Sequence, residues 1–135
     1  MSPVQHVVTG PALTFSLEKE VLLVRVELAK SPSRFGRTLV KDGPLRVTLI
    51  GVNAGHGLAE HSAPGPVTIH VLDGAIDVMA AGILFPLTAG TLLALDAGVA
   101  HAVTSPQGGI FLLTVLHGVV GDRPVRSSAQ PSAPS

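Results

Sequence analysis

The chain of 135 residues carries nine basic and nine acidic side chains, so its formal net charge is zero. Without a basic cluster to neutralise a series of phosphates, we expect no nucleic-acid partner, and the absence of cysteine excludes disulfides and thiolate metal sites. No apolar run reaches the ~20 residues that cross a bilayer, and the N-terminal residues lack the basic-then-apolar pattern of a secretory signal. These features predict one domain with no membrane association, located in the cytoplasm.

The segment 16–29 fits either a helix or a strand. Apolar residues at positions 17, 21, 24 and 28 have helical spacing, and Ser16 is a suitable N-cap. Positions 22, 24, 26 and 28 instead alternate as they would in a strand, and valine favours that reading. We favour a helix that ends before Ser31-Pro32, followed by a linker from Ser31 to Arg37.

Beyond residue 36 the sequence becomes a series of short apolar runs separated by turn residues, which is typical of an all-β sandwich or small barrel. Leu45, Val47 and Leu49 predict a dry strand face that alternates with a wet one at Arg46 and Thr48. The dipeptide Asp73-Gly74 predicts a hairpin turn with positive φ at the glycine. The predicted strands are 37–40, 45–49, 57–62, 67–72, 75–79, 83–87, 91–95, 100–104 and 110–116.

We divide the chain into three parts. Residues 1–36 form a lead-in with the probable helix, residues 37–122 form the β domain, and residues 123–135 form a tail. The tail is rich in Ser and Pro and has no apolar period, which predicts disorder.

Two glycine- and histidine-framed segments are the most specific features of the sequence. The first, 55–74, reads GHGLAEHSAPGPVTIHVLDG, and the second, 90–105, reads GTLLALDAGVAHAVTS. They resemble the two sequence motifs of the cupin superfamily over a region from Arg37 to His117. The resemblance implies a double-stranded β-helix, or jelly-roll barrel, with one small-molecule pocket at its centre. The matching positions are Gly55, His61 and Gly74 in the first motif and Gly90, Gly98 and His101 in the second.

The departures from the family motifs concern metal ligands and turn shape. Ala63 stands where the family has a second metal-binding histidine, and Val67 stands where it has a glutamate. Two of the four family ligands are therefore missing. Asp96 replaces a proline and Ser105 an asparagine, and we expect Asp96 to cap the turn before His101.

His61 and His101 are the best candidate metal ligands, because the resemblance points both into the barrel. Imidazole is a natural ligand for zinc, nickel, copper or iron, and the sequence does not distinguish these metals or manganese. Tight sites have three or four ligands, so a third would have to come from His56, His70 or His117.

The alternation of residues 67–72 bears on that third ligand. It sends Val67, Ile69 and Val71 inward and places Thr68 and His70 outside, unless a bulge after Pro64 reverses the pattern. We favour a surface or interface position for His70 and a surface position at a strand end for His117.

Two functions follow from these residues, and a third interpretation is a purely structural dimer module. The first is a cupin that binds a small, largely apolar molecule, with or without a divalent metal. The alternative is a metal-dependent cupin enzyme, a dioxygenase or isomerase acting on a small organic substrate. A homodimer is expected in either case, because the outward row of Thr68, His70 and Leu72 has no charge to keep it solvated.

Overall fold

The computed structural model describes residues 7–8 and 10–117, so the predicted tail 123–135 lies outside the described residues. It confirms an all-β fold with one short helix. The elements in chain order are α1 (Leu17–Leu28), β1 (Arg34–Asp42), β2 (Leu45–Val52), β3 (His56–His61), β4 (Val67–Ala80), β5 (Ile83–Thr88), β6 (Leu92–Leu95), β7 (His101–Ser105) and β8 (Gly109–Leu116).

The strand β4 joins two antiparallel sheets that face each other. Its first half pairs with β8 and β6, and its second half pairs with β7 and β5. The main path of the curled sheet is β1-β2-β8-β4-β7-β3. We call β1, β2, β8, β6 and the first half of β4 the first sheet, and the other strands the second sheet.

An apolar core fills the space between the two sheets. The alternation predicted for β4 is confirmed, because Val67, Ile69 and Val71 are buried in this core while Thr68 and His70 are only half-buried. Burial of aliphatic side chains of this kind contributes roughly 1.5–3 kcal/mol each. The other buried members of the core are Val52, Ile76, Val78, Ala80, Leu87, Val103, Phe111 and Val115.

The predicted wet face of β2 is wrong. Ile50 packs on the core between the sheets, whereas Leu49 is buried under the helix on the opposite face. The second half of β2 is therefore covered on both faces. Arg46 and Thr48, which share the parity of Ile50, lie on the barrel-interior side and are half-buried. The sequence pattern alone assigns the polar side of a strand to solvent. That assignment fails here because the polar side of this strand faces the barrel interior while the helix covers the other side.

The predicted hairpin at Asp73-Gly74 is also wrong, although its backbone conformation is confirmed. The chain continues as one strand through Gly74, which has φ of +71°. A Cβ at this position would collide with the backbone carbonyl of Gly108. Gly74 thus lets β4 cross closely over the start of β8 and pass from the first sheet to the second.

The segment 16–29 is a helix, as favoured from the sequence. Ser16 is its N-cap and accepts a hydrogen bond from the Lys19 amide at 3.3 Å. Val24 and Leu28 are buried against the outside of the first sheet. Below the helix, the outward-facing residue of β2 is Gly51. A Cβ on Gly51 would come within 2.9 Å of a Val24 methyl group. The helix therefore packs on the outside of the barrel.

Polar contacts fix the helix on the sheet. Arg37 pairs with Glu20 at 2.6 Å, and Arg25 pairs with Asp73 at 2.8 Å. The side-chain amide of Asn53 donates to the carbonyls of Leu28 and Ser31, which satisfies groups at the helix end. The predicted linker to Arg37 is shorter than expected, because β1 already begins at Arg34. Within the described residues no helix has the length and hydropathy of a membrane span.

Candidate functional site

His61 and His101 face each other across β3 and β7. Their Cα atoms are register partners, and their ring centroids are 4.4 Å apart at an interplanar angle of 58°. The register contains an irregularity, because the partner of Leu58 is Val103 while the partner of His61 is His101. Three steps along β3 therefore match two along β7, which is the signature of a β-bulge. The bulge turns the ring of His61 toward that of His101.

Both imidazoles have the same hydrogen bond to the backbone carbonyl two residues before them. The Nδ1 atom of His61 is 2.9 Å from the Ala59 carbonyl, and Nδ1 of His101 is 2.9 Å from the Val99 carbonyl. A carbonyl only accepts, so in each bond Nδ1 carries the proton. In the neutral rings both Nε2 atoms then keep a lone pair, which is the tautomer that binds a metal or accepts a hydrogen bond from a ligand.

The two rings line a cavity of about 230 Å³ at one end of the barrel. Its walls include Ala63 and Val67, the two positions where the cupin motif would supply a further histidine and a glutamate. The replacement of both ligands by alkyl side chains makes this end of the barrel apolar. Among the described residues, the cavity is lined by His61, Ser62, Ala63, Pro64, Val67, His101, Leu113, Val115 and His117.

The other candidate ligands are distributed unevenly. His117 is exposed just after the end of β8, as predicted, and it also lines the cavity. His56 begins β3 opposite Ser105, several residues from the cavity end of that strand. His70 lies on the outer face of β4, beside Leu92 and Leu112. The structure therefore brings His61 and His101 together and leaves His56 and His70 apart from them.

The polar residues of the motif frames have structural contacts. Asp96 accepts a hydrogen bond from the Ala97 amide at 2.8 Å, which agrees with the predicted role in the turn. Ser105 is 1% exposed and donates to the carbonyl of Ala75 at 2.7 Å, so it fastens β7 to β4. Glu60 is exposed on the bulge beside His61.

The donor atoms fit an imidazole-binding divalent metal only in part. Two Nε2 lone pairs are available in the cavity, and both ring orientations are fixed by backbone carbonyls. Among residues 10–117 no group of three or more histidine, aspartate or glutamate side chains is arranged to hold a metal ion. A closed site of three or four protein ligands is therefore not formed by the described residues.

A larger open groove of about 390 Å³ lies between α1 and β4. Two of its charged side chains, Arg25 and Asp73, pair with each other. Because its remaining walls are mainly the aliphatic side chains of the helix, this groove has no convergent donor set comparable to the histidine pair.

The bulge is the feature of the site that the sequence did not reveal. If the register continued without a break from the pair Leu58–Val103, Glu60 and not His61 would lie opposite His101. The sequence AEH contains no Gly or Pro to signal an extra residue in the strand. The resemblance to the family motif instead predicted the inward position of His61.

Solved structures of cupins are similar to this chain over most of its length. A cupin superfamily protein from Desulfitobacterium hafniense has a TM-score of 0.67 at 15% identity, covering 86% of this chain and 99% of that chain. A conserved protein of unknown function from Streptococcus pyogenes has a TM-score of 0.65 at 20% identity, covering 87% and 96%. An RmlC-like cupin from Shewanella frigidimarina has a TM-score of 0.61 at 22% identity, covering 67% and 82%. Family models and curated protein sequences give no match.

The strand order, the two facing sheets and the cavity at one end define a double-stranded β-helix. The chain has the cupin fold.

Proposed function

We propose that the protein binds a small, largely apolar molecule in the cavity beside His61 and His101. The observation that carries this proposal is the pairing of the two rings, with both Nε2 atoms left unprotonated in the neutral state, at an apolar wall. Concave apolar sites with a few convergent polar groups are the usual form of ligand pockets. The histidines would accept hydrogen bonds from the ligand or hold a divalent metal that contacts it.

Metal binding at this pair is proposed to be weak. Two imidazoles supply half of a tetrahedral ligand set, and Ala63 and Val67 supply none. A metal held there would have open coordination positions and would polarise a bound oxygen atom of the ligand. The donors suit zinc, nickel, copper or iron.

Zinc titration by calorimetry tests the metal part of the proposal. The wild-type protein is compared with the double variant His61→Ala/His101→Ala and with the matched control His56→Ala/His70→Ala, which removes two imidazoles outside the cavity. We expect weak zinc binding in the wild type and in the control, and none in the cavity variant. Equal binding by both variants would place the metal elsewhere, whereas stoichiometric tight binding lost only in the cavity variant would support the enzyme.

A metal-dependent enzyme, a dioxygenase or isomerase, is the second candidate. The observation in its favour is that His117 lines the same cavity as the histidine pair and could supply a third imidazole. This function requires tight metal binding that His117→Ala reduces. Zinc affinity unchanged in His117→Ala would remove the candidate.

A second copy of the chain is proposed to cover the outer face of the first sheet. We call the residues Thr68, His70, Leu92, Ala94 and Thr114 the open face; cross-strand partners place them on one side of β4, β6 and β8. Leu92 is 61% exposed, and none of the five residues carries a carboxylate, ammonium or guanidinium group. Two such faces related by a two-fold axis would meet without like-charge repulsion. Leu72, which was predicted to lie in the outward row with Thr68 and His70, instead packs partly against the cluster of Val24, Leu39, Leu49 and Ile110 under the helix.

Light scattering tests the dimer. The wild type should have the mass of two chains at micromolar concentration, and Leu92→Glu should have the mass of one. Leu84→Glu is the matched control, since Leu84 is 51% exposed and lies on β5 in the second sheet. A monomeric wild type, or dissociation by both variants alike, would contradict a dimer through the open face.

A further inference from the structure

Arg46 lies on the interior side of the barrel next to the histidine cavity. Its Cα partner on β8 is Val115, which lines the cavity. The interior parity of Arg46 follows from Ile50, which packs on the core between the sheets. On an antiparallel pair, directly opposite residues project to the same face, so the Arg46 stem and the Val115 side chain are neighbours.

The guanidinium of Arg46 is held by the β1–β2 turn. Its Nη1 atom donates to the carbonyls of Gly43 and Leu45, in and beside the β1–β2 turn. The same turn is joined to the end of β8, because the amide of His117 donates to the Pro44 carbonyl at 2.6 Å. Since His117 lines the cavity, the turn that holds the guanidinium lies at the cavity mouth.

The charge of Arg46 has no carboxylate partner among the described residues. The ion pairs found there involve Arg25, Lys30 and Arg37. The described part of the cavity lining also contains no aspartate or glutamate. The cavity mouth therefore combines an apolar wall and imidazoles with a cation whose hydrogen bonds to the described residues go to neutral carbonyls, and this combination favours an anionic ligand over a neutral or cationic one.

We propose that the cavity takes a small monocarboxylate, whose carboxylate binds the Arg46 guanidinium and whose apolar body packs on Val67, Leu113 and Val115. The planar fork of arginine matches a carboxylate in a bidentate pair. Charge-assisted hydrogen bonds to that ligand would replace the weaker bonds to Gly43 and Leu45. This inference rests on the proposed small-molecule function and specifies the chemical class of the ligand.

Two isosteric probes test the inference, isovalerate and isovaleramide, which share an aliphatic body and differ in charge. Dissociation constants are measured by NMR titration, with His101 and Val115 as reporters of the cavity. In the wild type we expect isovalerate to bind roughly tenfold more tightly than the amide, as hydrogen bonds to charged groups predict. The preference should disappear in Arg46→Gln and persist in Arg46→Lys.

The control variant is Arg34→Gln. It changes the net charge by the same amount, at an exposed position at the start of β1, away from the β1–β2 turn. The preference for isovalerate should persist in this control. The ratio of the two dissociation constants in the wild type is itself a test. The inference can therefore be contradicted even if Arg46→Gln does not fold.

The outcomes separate the inference from the proposed function. Equal wild-type affinity for both probes, with shifts at His101, would overturn the carboxylate inference and leave the small-molecule function standing. A carboxylate preference that survives in Arg46→Gln would also overturn it. If neither probe shifts the cavity reporters, both the inference and the apolar-ligand function fail.

Discussion

His61 and His101 are cross-strand partners because β3 contains one extra residue. Three residue steps from Leu58 to His61 lie opposite two steps from Val103 to His101. The bulge between Leu58 and His61 puts the two rings 4.4 Å apart. Nδ1 of His61 is held by a carbonyl of β3, and Nδ1 of His101 by the Val99 carbonyl just before β7. Backbone register and backbone carbonyls therefore position the two rings.

Ala63→His should raise the affinity for zinc. Ala63 lines the cavity and stands where the family motif has a metal-binding histidine, so the variant adds a third imidazole beside His61 and His101. We expect a gain of at least tenfold in calorimetric titration, at pH 8. The gain should be smaller at pH 5, because protons compete with the metal for imidazole.

The matched control for this variant is Ala102→His. Ala102 is half-buried like Ala63 but neighbours His101 in β7, where alternation points it to the other face. An equal gain in both variants would mean that the added imidazole acts outside the cavity.

Gly74→Ala should destabilise the protein more than Gly82→Ala does. Both glycines have positive φ, +71° and +76°, so both variants acquire backbone strain. Only at Gly74 would the new Cβ also collide with the Gly108 carbonyl, whereas nothing lies within 4 Å at Gly82. We expect a loss of about 1 kcal/mol for Gly82→Ala and of about 3 kcal/mol for Gly74→Ala in urea unfolding. Equal losses would contradict the close crossing of β4 over β8.

The ion pair between the helix and β1 should contribute to stability, and the one between the helix and β4 should not. The Glu20 side chain is 12% exposed and its partner Arg37 31%, whereas Arg25 and Asp73 are about half exposed. Exposed pairs contribute little because water and salt screen them. We expect Glu20→Gln to cost about 1 kcal/mol and Asp73→Asn less than ~0.5 kcal/mol in the free energy of unfolding. The opposite order would show that the helix is held at its Arg25 end.

Local patterns in the sequence predicted the parts of the fold in which one face of an element is covered. The helical spacing of Val24 and Leu28 identified the buried side of α1, while Leu22 and Val26, which supported the alternative strand, are more than half exposed. The alternation of Val67, Ile69 and Val71 likewise predicted the inward face of β4. In these elements burial follows the period of the chain, and the period can be read locally.

The wrong predictions arose where distant strands determine the local structure. Asp73-Gly74 is a dipeptide typical of a hairpin turn. In the structure the glycine is instead needed for the close approach of Gly108 to β4. Arg46 is a residue type that is typical of a solvated strand face. It lies on the barrel-interior side of β2, because the helix covers the other face. The family motifs supplied the histidine pair, whereas the cavity wall and the Arg46 guanidinium became visible only from the strand register.

The tautomer of the histidine pair tests the central claim most directly. Two-dimensional ¹H–¹⁵N NMR of the imidazoles distinguishes a protonated Nδ1 from a protonated Nε2, and zinc titration then identifies which nitrogens bind the metal. We predict Nδ1–H tautomers for both His61 and His101 at pH 8, with zinc shifting their Nε2 resonances and leaving those of His56 and His70 unchanged. Nε2–H tautomers at the pair, or zinc shifts confined to His56 and His70, would contradict a ligand site between β3 and β7.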